Sequence, residues 1–91
     1  MGSDAVYSMF GQNTRELGWL VKAGMTPTEA LAAATTTAAD LLGMQDRLGR
    51  IASCYAADVV AFEGDPLQSI EVLFTGVRVV MKDGKIVVDK R

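Results

Sequence analysis

Asp58, Glu63 and Asp65 crowd into one short stretch, Ala57-Asp58-Val59-Val60-Ala61-Phe62-Glu63-Gly64-Asp65-Pro66. Close carboxylates are the material of acid–base and cation-binding sites. Their spacing argues against either use here. Asp58 and Glu63 bracket the apolar run Val59 to Phe62, and Asp65 stands before a proline, so the acids mark a strand and its turns. Asp65 is placed to cap a following helical turn. Cys54 offers a thiol, but no histidine or lysine stands beside it to activate it, and it reads as a small unreactive residue. Thr35-Thr36-Thr37 presents a row of hydroxyls that could line a pocket; capping a helix explains them more economically. The chain has no histidine at all. It therefore lacks the commonest general base, the commonest metal ligand and every Ser-His or Cys-His dyad. Its glycines form neither a G-x-G-x-x-G nor a P-loop pattern, which leaves phosphate binding without support.

The elements that must position these groups can be taken in order. Residues 1–12 are only loosely patterned. Asn13-Thr14-Arg15-Glu16 predicts a helix start with Asn13 as cap and Glu16 reaching back to it. Leu17, Leu20 and Val21 follow at helical spacing, Gly24 ends the run in a left-handed conformation, and Trp19 lies off the apolar stripe. Trp19 then needs either a second neighbour or solvent. Thr26-Pro27-Thr28-Glu29 is a stronger start: Thr26 caps, Pro27 occupies the first helical position and Glu29 completes a capping box. Three β-branched threonines interrupt the alanine-rich helix that follows. Apolar phase continues across them to Leu42, so a single helix is conceivable; a break at the threonines, with a further helix ended by Gly43, is the preferred reading.

After Gly43 the pattern turns strand-like. Four apolar residues in a row at 59–62 suit a short strand covered on both faces. Val72-Leu73-Phe74 reads as extended, and the run Val77 to Lys82 meets Ile86-Val87-Val88 across Asp83-Gly84, a strong hairpin signal. Helices followed by strands predict an α+β chain or the junction of two domains.

At 91 residues the chain is one domain at most, able to bury roughly 60–70% of its extended surface. A hydrophobic content of 49% with 22% charged residues is that of a globular chain. A net charge of −2 without a basic cluster gives no footprint for nucleic acid, and no apolar run is long enough for a membrane helix. The opening Met1-Gly2-Ser3-Asp4 lacks the pattern of a secretory signal, and a lone cysteine excludes an internal disulfide. A cytoplasmic location is the expectation.

Many short matches in one order then carry a family resemblance. They run Asn13-x-Arg15-Glu16-Leu17, Gly24-Met25-Thr26-Pro27-x-Glu29-Ala30-Leu31, Ala33-Ala34-Thr35 and Ala38-Ala39-x-Leu41-Leu42-Gly43. They continue as Asp46-Arg47-Leu48-Gly49-x-Ile51, Ala57-Asp58-Val59-Val60, Gly64-Asp65-Pro66-Leu67, Ile70 and Val79-x-Met81-Lys82-Asp83-Gly84. The chain resembles the C-terminal region of metal-dependent amidohydrolases, closest to imidazolonepropionase-like or Xaa-Pro dipeptidase-like (prolidase-type) enzymes. The resemblance implies a TIM-type barrel whose last strand end and helices are residues 1–48. Residues 49–91 would be the C-terminal part of a small composite β-sandwich, closing in a hairpin.

It also implies that Asp4 stands at the end of the eighth barrel strand. There the family's aspartate ligands a divalent metal, zinc or similar, and shuttles a proton to and from the attacking water. Barrel chemistry does sit at the C-terminal ends of strands. The family's His-x-His pair, bridging lysine or glutamate and later histidines would all precede residue 1. A catalytic zinc needs about three protein ligands, and this chain offers one candidate. A local departure is Ala52-Ser53-Cys54-Tyr55, where the family has Glu-Pro-Gly-Lys. Cys54 replaces the turn glycine, which predicts an altered or strained turn.

The resulting expectation is a C-terminal fragment of an enzyme hydrolysing C–N bonds of cyclic amides or dipeptide-like substrates, inactive alone and carrying no cofactor by itself. Trp19 with Met25, Met44 or Phe10 could make a binding surface; packing against the missing barrel is the preferred reading. A different reading is a stand-alone module that self-associates or binds a partner through its exposed leucine and alanine faces. In a third, a separate chain supplies the histidines.

Overall fold

The computed structural model describes residues 13–91. Its helical part is α1 (Arg15–Lys22), α2 (Pro27–Ala34) and α3 (Thr36–Leu41). The cap of α1 falls on Thr14 rather than Asn13; Thr14 is already helical and makes no side-chain cap bond. The exit is as expected. Gly24, at φ +117, donates to the Val21 carbonyl while Met25 donates to Leu20, the paired bonds of a Schellman motif. The capping box of α2 is complete. Glu29 N–H donates to Thr26 Oγ1 at 3.1 Å, and Thr26 N–H donates to Glu29 Oε1 at 3.0 Å.

The helix does break at the threonines. Thr35 takes φ −125 and ψ −88, and its hydroxyl donates to the Leu31 carbonyl at 2.7 Å instead of capping α3. The side chain thus closes the helix behind it. A second Schellman pair ends α3, with Gly43 donating to Asp40 and Met44 to Ala39. The loop beyond returns onto this break: a Cβ added at Gly49 would lie 3.0 Å from the Thr35 carbonyl oxygen and 3.0 Å from Ala39 Cβ.

Cys54 keeps the turn that a glycine would make. Its φ is +69, in the left-handed region that a Cβ disfavours. The turn is pinned by its neighbours: Tyr55 donates its hydroxyl to the Gln45 carbonyl at 2.7 Å, and Ala56 N–H donates to Arg47 at 2.8 Å. The expected strain is present, and the turn survives it.

The strands β1 (Val59–Phe62), β2 (Val77–Lys82) and β3 (Lys85–Asp89) form an antiparallel sheet in that spatial order. Asp83 and Gly84, at φ +50 and +81, supply the two positive φ values of a type I′ hairpin turn. Two expectations fail. First, β1 is not covered on both faces: Val60 is 48% exposed, and β3 is exposed along its whole length. An unbroken apolar run indicates that a strand can be covered, not that a covering layer is present among the described residues. Second, Val72–Thr75 is a short helix, α4, rather than extended. Residues 65–69 already turn helically, with Asp65 Oδ1 accepting from Leu67 N–H at 2.9 Å, and one further turn brings Leu73 inward beside Ile70.

The core sits where those residues meet the helices. Leu17, Ala30, Ile70 and Leu73 form one buried cluster, flanked by residues such as Leu20, Leu31 and Phe62. Replacing Cys54 by glycine relieves the left-handed strain at an exposed position. Cys54→Gly is expected to stabilise the chain by about 1 kcal/mol, seen as a higher urea midpoint with unchanged slope. An equal or lower midpoint would refute the strain assignment.

Candidate functional site

The acidic stretch resolves into separate structural contacts. Asp58 stands just before β1 and holds the hairpin turn: Asp83 N–H donates to its Oδ1 at 2.8 Å and Lys82 Nζ to its Oδ2 at 3.2 Å. Gly84 N–H donates to the neighbouring Ala57 carbonyl at 3.0 Å. Glu63 instead pairs with Arg78 at 3.0 Å, while Asp65 caps its own turn. The reading of these acids as strand and turn punctuation holds. Sequence inspection did not name Lys82 or Arg78 as their partners, although hairpin register alone sets Lys82 beside the Asp83-Gly84 turn.

These contacts hold carboxylates in the charged form. The Asp83 backbone N–H, and then Lys82, lower the Asp58 pKa. The Arg78 guanidinium lowers that of Glu63, and the Arg91 side chain and then its backbone N–H lower Asp89 to about 2. Thr26 N–H lowers Glu29 through the capping box. Each carboxylate is solvent-facing, so the bonds matter more as local clamps than as net stabilisation.

Asp4, the residue assigned to metal binding and proton transfer by resemblance, lies outside the described residues. Thr35 spends its hydroxyl on Leu31, and Cys54 is exposed and free. Among the described residues no group of three histidine, cysteine, aspartate or glutamate side chains is placed to hold a metal ion. The donor set does not fit a metal centre.

Two depressions remain. One, of about 440 Å³, separates the helices from the sheet, with Leu17, Leu31 and Ala34 on one wall, Val59 and Phe62 on the other, and Arg50 and Asp58 also lining it. The other, of about 410 Å³, lies on α1 beside Phe74. Trp19, off the apolar stripe as expected, opens onto this second depression and is 60% exposed. No helix among the described residues is long and apolar enough to cross a membrane.

The described residues are thus a few helices leading into a small three-stranded antiparallel sheet. The model of the amidohydrolase family matches residues 1–87. The chain belongs to that family. Ochratoxinase from Aspergillus niger is 41% identical over 80 residues, which make up 84% of this chain and 17% of that enzyme. Imidazolonepropionase from Shouchella clausii is 42% identical over 67 residues, or 71% of this chain and 15% of the relative. Among solved structures, a Xaa-Pro dipeptidase with methionine bound in its active site superposes with a TM-score of 0.89 at 39% identity. That match covers 96% of this chain and 21% of the other. The chain thus spans about a fifth of the length of such relatives, and its structural neighbours are amidohydrolases of the TIM-barrel family.

The clamped carboxylates set a pH dependence. Their folded pKa values lie below the unfolded ones, so their contribution is fully present above the unfolded values near 4 and is lost as pH falls through the lowered folded values. Stability is expected to decline from about pH 4 towards pH 2, the range fixed by Asp89 at about 2. Asp58→Asn should flatten part of that decline. Urea midpoints between pH 5 and pH 2.5 measure both; midpoints that rise on acidification would contradict the assignment.

Proposed function

We propose that the chain is the C-terminal portion of a metal-dependent amidohydrolase that hydrolyses C–N bonds in cyclic amides or dipeptide-like substrates, and that it is inactive alone. The observation carrying this reading is the asymmetry of coverage: 96% of this chain matches 21% of a Xaa-Pro dipeptidase. In this reading residues 1–48 are the last strand end and helices of the barrel, and residues 49–91 belong to the composite sandwich. Asp4 contributes a carboxylate to the intact centre, as the family resemblance implies. The substrate class is supported by relatives named imidazolonepropionase and Xaa-Pro dipeptidase.

The donor set supports the inactivity. Without a histidine in the chain, and without a ligand cluster among the described residues, a metal centre needs side chains from outside these 91 residues. Its chemistry would be metal-assisted hydrolysis, typical of the family. This chain's contribution is support, through the helices and sheet that the remainder would rest upon. A cytoplasmic location fits the single free cysteine.

Exposure on α3 and the following loop favours a partner. Leu41 is 87% and Ile51 85% exposed. The missing barrel portion would cover this surface. The second reading, a stand-alone self-associating module, draws on the same exposure.

Two measurements test these readings. The purified chain with added zinc should give no turnover of cyclic amides or dipeptides above a metal-only blank; turnover above it overturns the inactivity. Sedimentation over a range of concentrations should show reversible self-association of the isolated chain. A monomer at high concentration, with no dye-detectable apolar surface, would count against the module.

A further inference from the structure

The depression on α1 has a different chemistry from the rest of the surface. Arg15, Trp19 and Lys22 recur at four- and three-residue intervals, which sets them on one face of α1. Phe74 of α4 closes the depression from the other side. Its ring lies where Gly18 has no side chain: a Cβ added at Gly18 would stand 2.8 Å from Phe74 Cζ. The resulting space of about 410 Å³ falls within the small-molecule range.

Both cations lie over aromatic rings. Arg15 Cζ is 5.6 Å from the Phe74 centroid, and Lys22 Nζ is 5.0 Å from that of Trp19. Such contacts hold a cation over a ring face while leaving its N–H donors available. Among the described residues neither cation has a carboxylate at ion-pair distance. The one acid in the lining, Glu71, is engaged by the Ser69 hydroxyl at 2.6 Å. Two cations and one acid leave the depression with one net positive charge, between two aromatic side chains.

We propose that the Arg15–Trp19–Lys22–Phe74 depression binds a planar aromatic monocarboxylate. The ligand's ring packs against the parts of Trp19 and Phe74 that Lys22 and Arg15 leave uncovered, and its carboxylate accepts hydrogen bonds from Arg15 and Lys22. Glu71 disfavours a second negative charge on the ligand. No residue of the depression is assigned to catalysis, and the proposal concerns the chain with Trp19 open to solvent, as it stands in this structure.

Trp19 is the only tryptophan, so its indole N–H gives one resolved signal in a ¹⁵N–¹H correlation spectrum. Titration of the full chain with 2-naphthoate should shift that signal saturably. The neutral 2-naphthamide should bind at least about tenfold more weakly. Arg15→Gln and Lys22→Gln should each weaken the carboxylate by about threefold to tenfold while the amide spectrum keeps its dispersion. Both side chains are exposed, so either variant suffices should the other fail to fold. Equal affinity for carboxylate and amide, or no saturable shift at millimolar 2-naphthoate, overturns the proposal.

Discussion

The structure depends on one packing contact, the seating of Ile70 and Leu73 against Leu17 and Ala30. It joins residues distant in sequence, and without it the helices and the sheet would share little. Ala30 is completely buried, its small side chain setting how closely the segment before β2 can approach α2. Burying one leucine or isoleucine is worth about 1.5–3 kcal/mol. A cluster this small is therefore sensitive to any single truncation, because neighbouring side chains are too few to collapse into the space.

Local chemistry explains why the contact forms at all. The Schellman exits at Gly24 and Gly43 and the capping box at Thr26 fix where each helix stops and starts. Gly49 then passes against the Thr35 carbonyl, where a side chain would not fit. On the other side, Asp58 grips the Asp83 N–H and ties the tip of the β2–β3 hairpin to the start of β1. A carboxylate at the sheet's edge thus adds a clamp to the ladder's own pairing. That accounts for an acid beside an apolar strand without invoking catalysis.

Legibility in the sequence followed the range of the interaction. Thr26-Pro27-x-Glu29, Gly24, Gly43 and Asp83-Gly84 act within a few residues, and each does what its chemistry predicts. The threonine break was legible in position but not in cause, since Thr35 closes the helix behind it rather than opening the next. Val72–Thr75 was misjudged because its β-branched and aromatic composition favours strands. Burial of Leu73 against Leu17, more than fifty positions away by residue number, overrides that preference. Of the candidate site, the structural character of Asp58, Glu63 and Asp65 could be inferred from their bracketing positions. The pairing of Phe74 with Arg15 could not, because nothing near Arg15 in sequence indicates it. Trp19 off the apolar stripe was the one available signal.

The distribution of apolar surface bears on what kind of unit this is. Aliphatic side chains exposed together as a patch, rather than singly, mark a surface that something covers. Here Leu41 on α3, Ile51 in the loop beyond it, and Ile86 and Val87 on the outer strand β3 all stand in solvent. These positions lie on different elements. Both the exposed aliphatic positions and the lack of histidine accord with a chain that spans about a fifth of the length of its amidohydrolase relatives.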